Sequence, residues 1–237
     1  MSIEIRGGVE LPAIREDIEL RTADGLTLVG ELATPYDHAP VATLLTLHPL
    51  PTAGGFMDSH LFRKAAARLP ALADLAVLRF NTRGTSSPRG TSGGEFGHGT
   101  AEAADLDAAW RFIHSRGLPH VWIVGWSFGT EIALKYARAY PSDGVILLSP
   151  PLHRTSEAEV AAWAHDSRPV VALVSELDDF LQPPEARTRF ASAPNIEVID
   201  VPGARHLWVG ENSTRRVLDE IVARTNPAAL PLPTTWD

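Results

Sequence analysis

The sequence predicts an α/β fold: a mostly parallel, eight-stranded twisted sheet with helices on both faces and no large cap domain. Three observations carry that expectation. Short apolar runs alternate with stretches of helical period, the pattern of doubly buried strands and their crossover helices. Two alternating runs around Ala23-Asp24-Gly25 open the chain as a β-hairpin. A glycine-bracketed serine, Gly125-Trp126-Ser127-Phe128-Gly129, stands at one strand-to-helix junction.

The hairpin arms are Ile18-Glu19-Leu20-Arg21 and Leu26-Thr27-Leu28-Val29. Val41 to Leu47 follows as a continuous apolar run. Similar runs recur at Leu75 to Phe80, His120 to Val124, Val145 to Leu148, Pro169 to Val174 and Ile196 to Val201. Between them, Phe62, Ala65, Ala66 and Leu69 share a helical face. So do Leu106, Trp110 and Ile113, with Glu102 and Asp105 early and Gly117 just past the end, as helix polarity favours. Ile132, Ala133, Tyr136 and Ala137 make a third face, and Val217, Leu218, Ile221 and Val222 a last one. Gly84 to Gly99 reads as a long loop, of a length that is often functional. Pro150 to Arg168 has room only for a small helix over Ala158 to Ala164, so the site is expected to be open or covered by Gly84 to Gly99 alone. One domain is expected over residues 1–225, with 226–237 a proline-rich extended tail.

Composition narrows the function class. The 237 residues carry a formal net charge of −8, which leaves no electrostatic footprint for nucleic acid. There is no basic amphipathic stretch for a membrane surface, no apolar run long enough to span a bilayer, and no signal-peptide pattern at the start. The chain has no cysteine, hence no disulfide, no thiolate metal site and no cysteine nucleophile. A cytoplasmic location is expected. No Lys-Ser or Lys-Thr follows a glycine loop and no His-Glu-x-x-His occurs, so neither a nucleotide nor a metal cofactor is expected. The expected partner is a small acyl substrate; the sequence sets no oligomeric state.

The chemistry centres on Ser127. Its motif fits G-x-S-x-G, directly follows the apolar strand Val121-Trp122-Ile123-Val124 and directly opens the helix around Ile132 to Tyr136. That setting is the one a nucleophile elbow requires: a strained turn lifts the hydroxyl above the sheet edge, and a Cβ on either glycine would collide with the crossing strand and helix. The plainer alternative is a tight turn with an incidental serine; the strand–turn–helix context argues against it. A serine needs a base. His206, in the loop after Ile196 to Val201, is that base, and the acid should follow the preceding strand. There the chain reads Ser175-Glu176-Leu177-Asp178-Asp179, with Asp178 the first choice, Asp179 its rival and Glu176 third; the carboxylate not used could cap the turn before Pro183 opens a helix. An oxyanion needs backbone N–H donors. Phe128 supplies one. In His48-Pro49-Leu50-Pro51 neither proline has an N–H, which makes Leu50 the second.

These pieces resemble the α/β-hydrolase superfamily, and most of all its small members without a large cap, a group that includes carboxylesterase-like and dienelactone-hydrolase-like proteins. The match rests on HPLPTAGGFMDS, FNTRGTSSPRG, GWSFG and the pair SELDDFLQPP with PGARH, which lie between Val41 and His206. The resemblance implies a Ser127–Asp178–His206 triad, an oxyanion hole at Leu50 and Phe128, and hydrolysis of an ester or related acyl compound through an acyl-enzyme. Thioester or peptide cleavage would use the same groups, whereas a dehalogenase would need a carboxylate where Ser127 stands. In relatives a proline follows the acid by four residues; Pro183 does so for Asp179, Gln182 for Asp178, so the resemblance leaves both aspartates open. A non-catalytic binding protein on the same fold is the alternative class. His60, His98 and His114 read as surface or satisfied structural side chains, with His98 near the site only if its loop folds over it.

Overall fold

The computed structural model describes residues 2–237. Its central sheet has eight strands: β1 (Ile14–Arg21), β2 (Thr27–Thr34), β3 (Ala42–Leu47), β4 (Leu75–Phe80), β5 (Val121–Trp126), β6 (Gly144–Leu148), β7 (Val170–Leu177) and β8 (Ile196–Arg205). Their spatial order is β8-β7-β6-β5-β3-β4-β2-β1. β2 runs antiparallel to both β1 and β4, and every other neighbouring pair is parallel. Five helices fill the crossovers, α1 (His60–Ala73), α2 (Ala103–Ser115), α3 (Phe128–Tyr136), α4 (Glu157–Ala161) and α5 (Pro183–Arg189), and α6 (Glu211–Thr225) follows the last strand.

The central strands are buried on both faces because alternate residues feed two separate cores. In β3, Leu45 and Leu47 face one cluster with Ile113 of α2 and Ile132 of α3, and Leu44 faces the other with Phe62 of α1 and Ile221 of α6. Helices α2 to α5 therefore cover one face, and α1 with α6 the other. The hairpin arms extend further than the alternation alone predicts, with eight residues each. Between Pro150 and Arg168 there is only α4 and a 3-10 turn over Ala162–His165. Ser156 caps α4 reciprocally with Glu159. No cap domain is present among the described residues.

Two segments expected to be irregular have structure of their own. Within Gly84 to Gly99, Ser86–Ser87 pairs with Gly90–Thr91. In the tail, Thr235–Trp236 pairs antiparallel with Ile3–Glu4, and Leu232 is buried against the α1/α6 core.

This topology places the site. β3 leads into α1 on one face, while its neighbour β5 leads into α3 on the other. Where adjacent strands send their chains to opposite faces, a crevice opens at their carboxyl ends. The residues immediately after β3, β5, β7 and β8 are His48, Ser127, Asp178 and His206.

Candidate active site

Ser127 sits at φ 52° and ψ −117°, a strained conformation for a residue with a side chain. The turn is held by contacts no Cβ could share. A Cβ on Gly129 would lie 1.9 Å from the Leu47 carbonyl oxygen, and one on Gly125 would lie 2.5 Å from that of Gly129. The strain lifts the hydroxyl to the sheet edge, where Ser127 Oγ is 2.8 Å from His206 Nε2. His206 Nδ1 stands 2.9 and 3.0 Å from the two carboxylate oxygens of Asp178. All three residues are buried, at 9%, 6% and 3% exposure for Ser127, His206 and Asp178.

Asp178 and Asp179 part company in the fold. Asp178 Oδ1 also accepts the Phe180 N–H (2.9 Å), so one carboxylate both meets the histidine and closes its own turn. Burial would raise this carboxyl, but the hydrogen bonds from His206, the Phe180 N–H and Ser149 together hold it below its ordinary value. Asp179 is exposed at the rim of the cleft and caps nothing; Gln182 occupies the position before Pro183 opens α5. The expected division of labour, one aspartate for catalysis and one for the cap, is thus replaced by Asp178 in both roles. Glu176 points away from the triad and accepts the Gly203 N–H (2.7 Å).

A cleft of about 350 Å³ opens over Ser127 and His206. Its walls are mainly apolar, from Leu50, Phe128, Pro151, Phe180 and Leu207, with the Glu131–Arg154 ion pair at one end. The Phe180 ring packs edge-on against the His206 imidazole at 4.5 Å. Leu50 and Phe128 line the cleft, and their backbone N–H groups donate to no acceptor among the described residues. Gly84 to Gly99 does not line the cleft. Phe96 packs edge-on against Phe128 without lining the cleft, and the exposed His98 ring lies tilted against Phe96 at 4.7 Å.

Three supporting side chains escape a reading of the sequence. The Trp126 indole N–H donates to the His206 carbonyl (3.1 Å), and His60 Nε2 donates to the Leu207 carbonyl (2.7 Å). Both fix the loop that carries His206. His60 also packs edge-on against Trp126 at 5.4 Å, so the residue before the nucleophile and the histidine loop form one rigid unit. Behind the cleft, the His48 ring lies between Pro49 and Thr82. Sequence proximity to the motifs is the one signal for Trp126 and His48; His60 has none. The Asn81-Thr82-Arg83-Gly84 turn acts as a brace: Asn81 Oδ1 accepts the Met57 N–H (2.9 Å), and Arg83 pairs with Asp105 of α2 (2.8 Å) and Asp24 of the hairpin turn (2.9 Å).

Comparison with known proteins agrees with the fold that positions this site. A family model described as alpha/beta hydrolase fold matches residues 43–198. No curated protein matches the chain. Among solved structures, a lidless α/β serine hydrolase from Xanthomonas campestris superposes with a TM-score of 0.75 at 23% identity, covering 94% of this chain and 99% of its own. An α/β serine hydrolase homologue from Coxiella burnetii gives 0.74 at 23% identity, covering 89% and 97%. An esterase from Pyrococcus furiosus gives 0.69 at 17% identity, covering 90% and 93%. At these identities the likeness is one of fold. The hydrogen-bonded Ser127–His206–Asp178 chain is the arrangement of a serine hydrolase.

Proposed function

The chain belongs to the alpha/beta hydrolase fold family, and from that premise we propose that it is a carboxylesterase of the small lidless branch that includes dienelactone-hydrolase-like proteins. The observation that carries this reading is the triad opening onto an apolar cleft lined by Leu50 and Phe128, whose backbone N–H groups have no acceptor among the described residues. Ser127 Oγ attacks the ester carbonyl carbon while His206 Nε2 takes its proton. Asp178 holds the Nδ1–H tautomer and stabilises the imidazolium. The carbonyl oxygen becomes an oxyanion and takes hydrogen bonds from Leu50 and Phe128, with the N-terminus of α3 adding a favourable dipole. The intermediate collapses, the C–O bond to the alcohol breaks, and His206 protonates the departing alkoxide. Water, deprotonated by His206, then attacks the acyl-enzyme, the C–O bond to Ser127 Oγ breaks, and His206 returns the proton to Oγ as the carboxylic acid leaves.

An open cleft lined by Leu50, Pro151, Phe180 and Leu207 suits small esters with apolar acyl groups. The deciding test is hydrolysis of p-nitrophenyl acetate and butyrate by the wild type and Ser127→Ala, with fluorophosphonate labelling in parallel. Wild-type turnover and labelling are expected, with kcat reduced by at least ~10⁴-fold in the variant and labelling lost. A folded wild type that neither labels nor turns over would sink the reading in favour of a binding protein.

A further inference from the structure

His48 is fully buried and lies outside the triad. Its two ring nitrogens have partners that dictate their protonation. Nε2 accepts the Thr82 backbone N–H at 3.0 Å; an N–H can only donate, so Nε2 carries no proton. Nδ1 stands 2.7 Å from the Pro49 carbonyl oxygen; a carbonyl can only accept, so Nδ1 carries the proton and donates it. The ring is therefore neutral and of one tautomer, and burial agrees by pushing its pKa down to about 4.

The Pro49 carbonyl shares a peptide unit with the Leu50 N–H. In a trans peptide the C=O and N–H point in opposite directions. The bond between residues 49 and 50 is trans, since among the described residues the cis bond is Leu230–Pro231. Pinning the carbonyl to the buried His48 ring thus turns the Leu50 N–H away from that ring, and Leu50 lines the cleft over Ser127. The rest of the loop closes on the same stretch of backbone. The Leu50 carbonyl accepts from the Ala53 N–H (3.0 Å) and the Gly55 N–H (2.9 Å), and a Cβ on Gly55 would lie 2.2 Å from the Pro49 oxygen.

We propose that His48 is the positioning residue of the oxyanion hole: braced by Thr82, its Nδ1–H holds the Pro49–Leu50 peptide in the orientation that presents the Leu50 N–H to the oxyanion. The inference rests on the hydrolase reading above and adds a second task, carried by Thr82, to the bracing Asn81-Thr82-Arg83-Gly84 turn. His48 touches no reacting atom. It acts on the transition state alone, because the ester carbonyl becomes a strong acceptor only when it turns into an oxyanion.

Two polar replacements separate the ring's two halves. Asparagine places an amide N–H near the Nδ1 position and can still donate to the Pro49 carbonyl. Glutamine extends to the Nε2 position, where its amide oxygen meets the Thr82 N–H and leaves the Pro49 carbonyl without a donor. With p-nitrophenyl butyrate, His48→Gln is expected to lower kcat by ~10²-fold with KM changed less than ~2-fold, the effect of losing one oxyanion donor. His48→Asn is expected to stay within ~5-fold of wild type, as rescue by the Nδ1 mimic demands. The inhibition constant of an alkyl trifluoromethyl ketone, which adds to the serine as an oxyanion, should rise in His48→Gln by the same factor as kcat/KM falls. A crystal structure of His48→Gln should show the 49–50 peptide rotated, with its N–H turned from the cleft. Equal losses in the two variants, or a His48→Gln peptide still in the wild-type orientation, would overturn the proposal. A wild type without turnover or ketone binding would instead refute the hydrolase reading, and the peptide orientation in His48→Gln would still decide the role of His48.

Discussion

At the scale of single residues, the site depends on which hydrogen bonds a side chain can make at once. Asp178 accepts from His206 and from the amide of its own turn, while its neighbour Asp179 lies exposed at the rim. Asp178→Asn should therefore lower kcat by ~10³- to 10⁴-fold, since an amide would favour the wrong histidine tautomer. Asp179→Asn should change kcat less than ~10-fold, as expected of a rim charge; the reverse ranking in steady-state assays would reassign the triad. His98→Ala should leave kcat unaltered, because its ring lies against Phe96 outside the cleft. His48 also links pH to stability. The unfolded chain protonates this residue near its ordinary value of 6.5, the folded chain only at about 4. Stability from this group is full above pH 6.5 and is lost as the pH falls through that window, by roughly 3 kcal/mol. Urea unfolding of His48→Asn between pH 7 and 4 should show a flatter dependence than wild type, and parallel curves would contradict the assignment.

At the scale of elements, the site is a set of strand ends. β3, β5, β7 and β8 each deliver one functional residue directly after their last paired position, so a shift of one strand by a single residue would turn the wrong side chain into the cleft. The elbow between β5 and α3 is the tightest of these joints. Gly129→Ala would drive a Cβ into the backbone of β3 at Leu47, which cannot yield as a flexible side chain could. The expected outcome is loss of soluble protein or, in any folded fraction, loss of turnover through displacement of Ser127. A Gly129→Ala protein with wild-type kcat and melting temperature would show that the helix and strand can separate at no cost. The loop after β3 is held in the same way, by Thr82 and Asn81 at the end of β4.

At the scale of the molecule, two cores flank one sheet, and the chain ends serve the core that does not face α3. Leu232 is buried on the α1/α6 side and Thr235–Trp236 pairs with Ile3–Glu4, so the tail closes that face at a distance from Ser127. Leu232→Ala should cost about 2–3 kcal/mol and lower Tm by roughly 5–10 °C. The value of kcat at 25 °C should not move, because the tail contributes no residue to the cleft. A drop in kcat without a drop in Tm would mean that the rear face communicates with the site.

The sequence by itself determined what depends on neighbours along the chain. Hydrophobic period marked the strands and the crossover helices, and the glycine spacing around Ser127 marked the elbow, because both are properties of a few consecutive residues. The missing donors of Pro49 and Pro51 made Leu50 the expected second oxyanion donor for the same reason. Tertiary structure alone decided what depends on side-chain direction across the sheet. Asp178 and Asp179 are chemically identical in sequence, and they separate only when β7 and β8 lie side by side and His206, 28 residues on, faces one of them. His48 gains its partner from Thr82, 34 residues away, and His60 its partner from Leu207, 147 away. Hydrogen bonds are short and directional, so a pairing between distant residues exists only once the packed sheet has fixed where both backbones run.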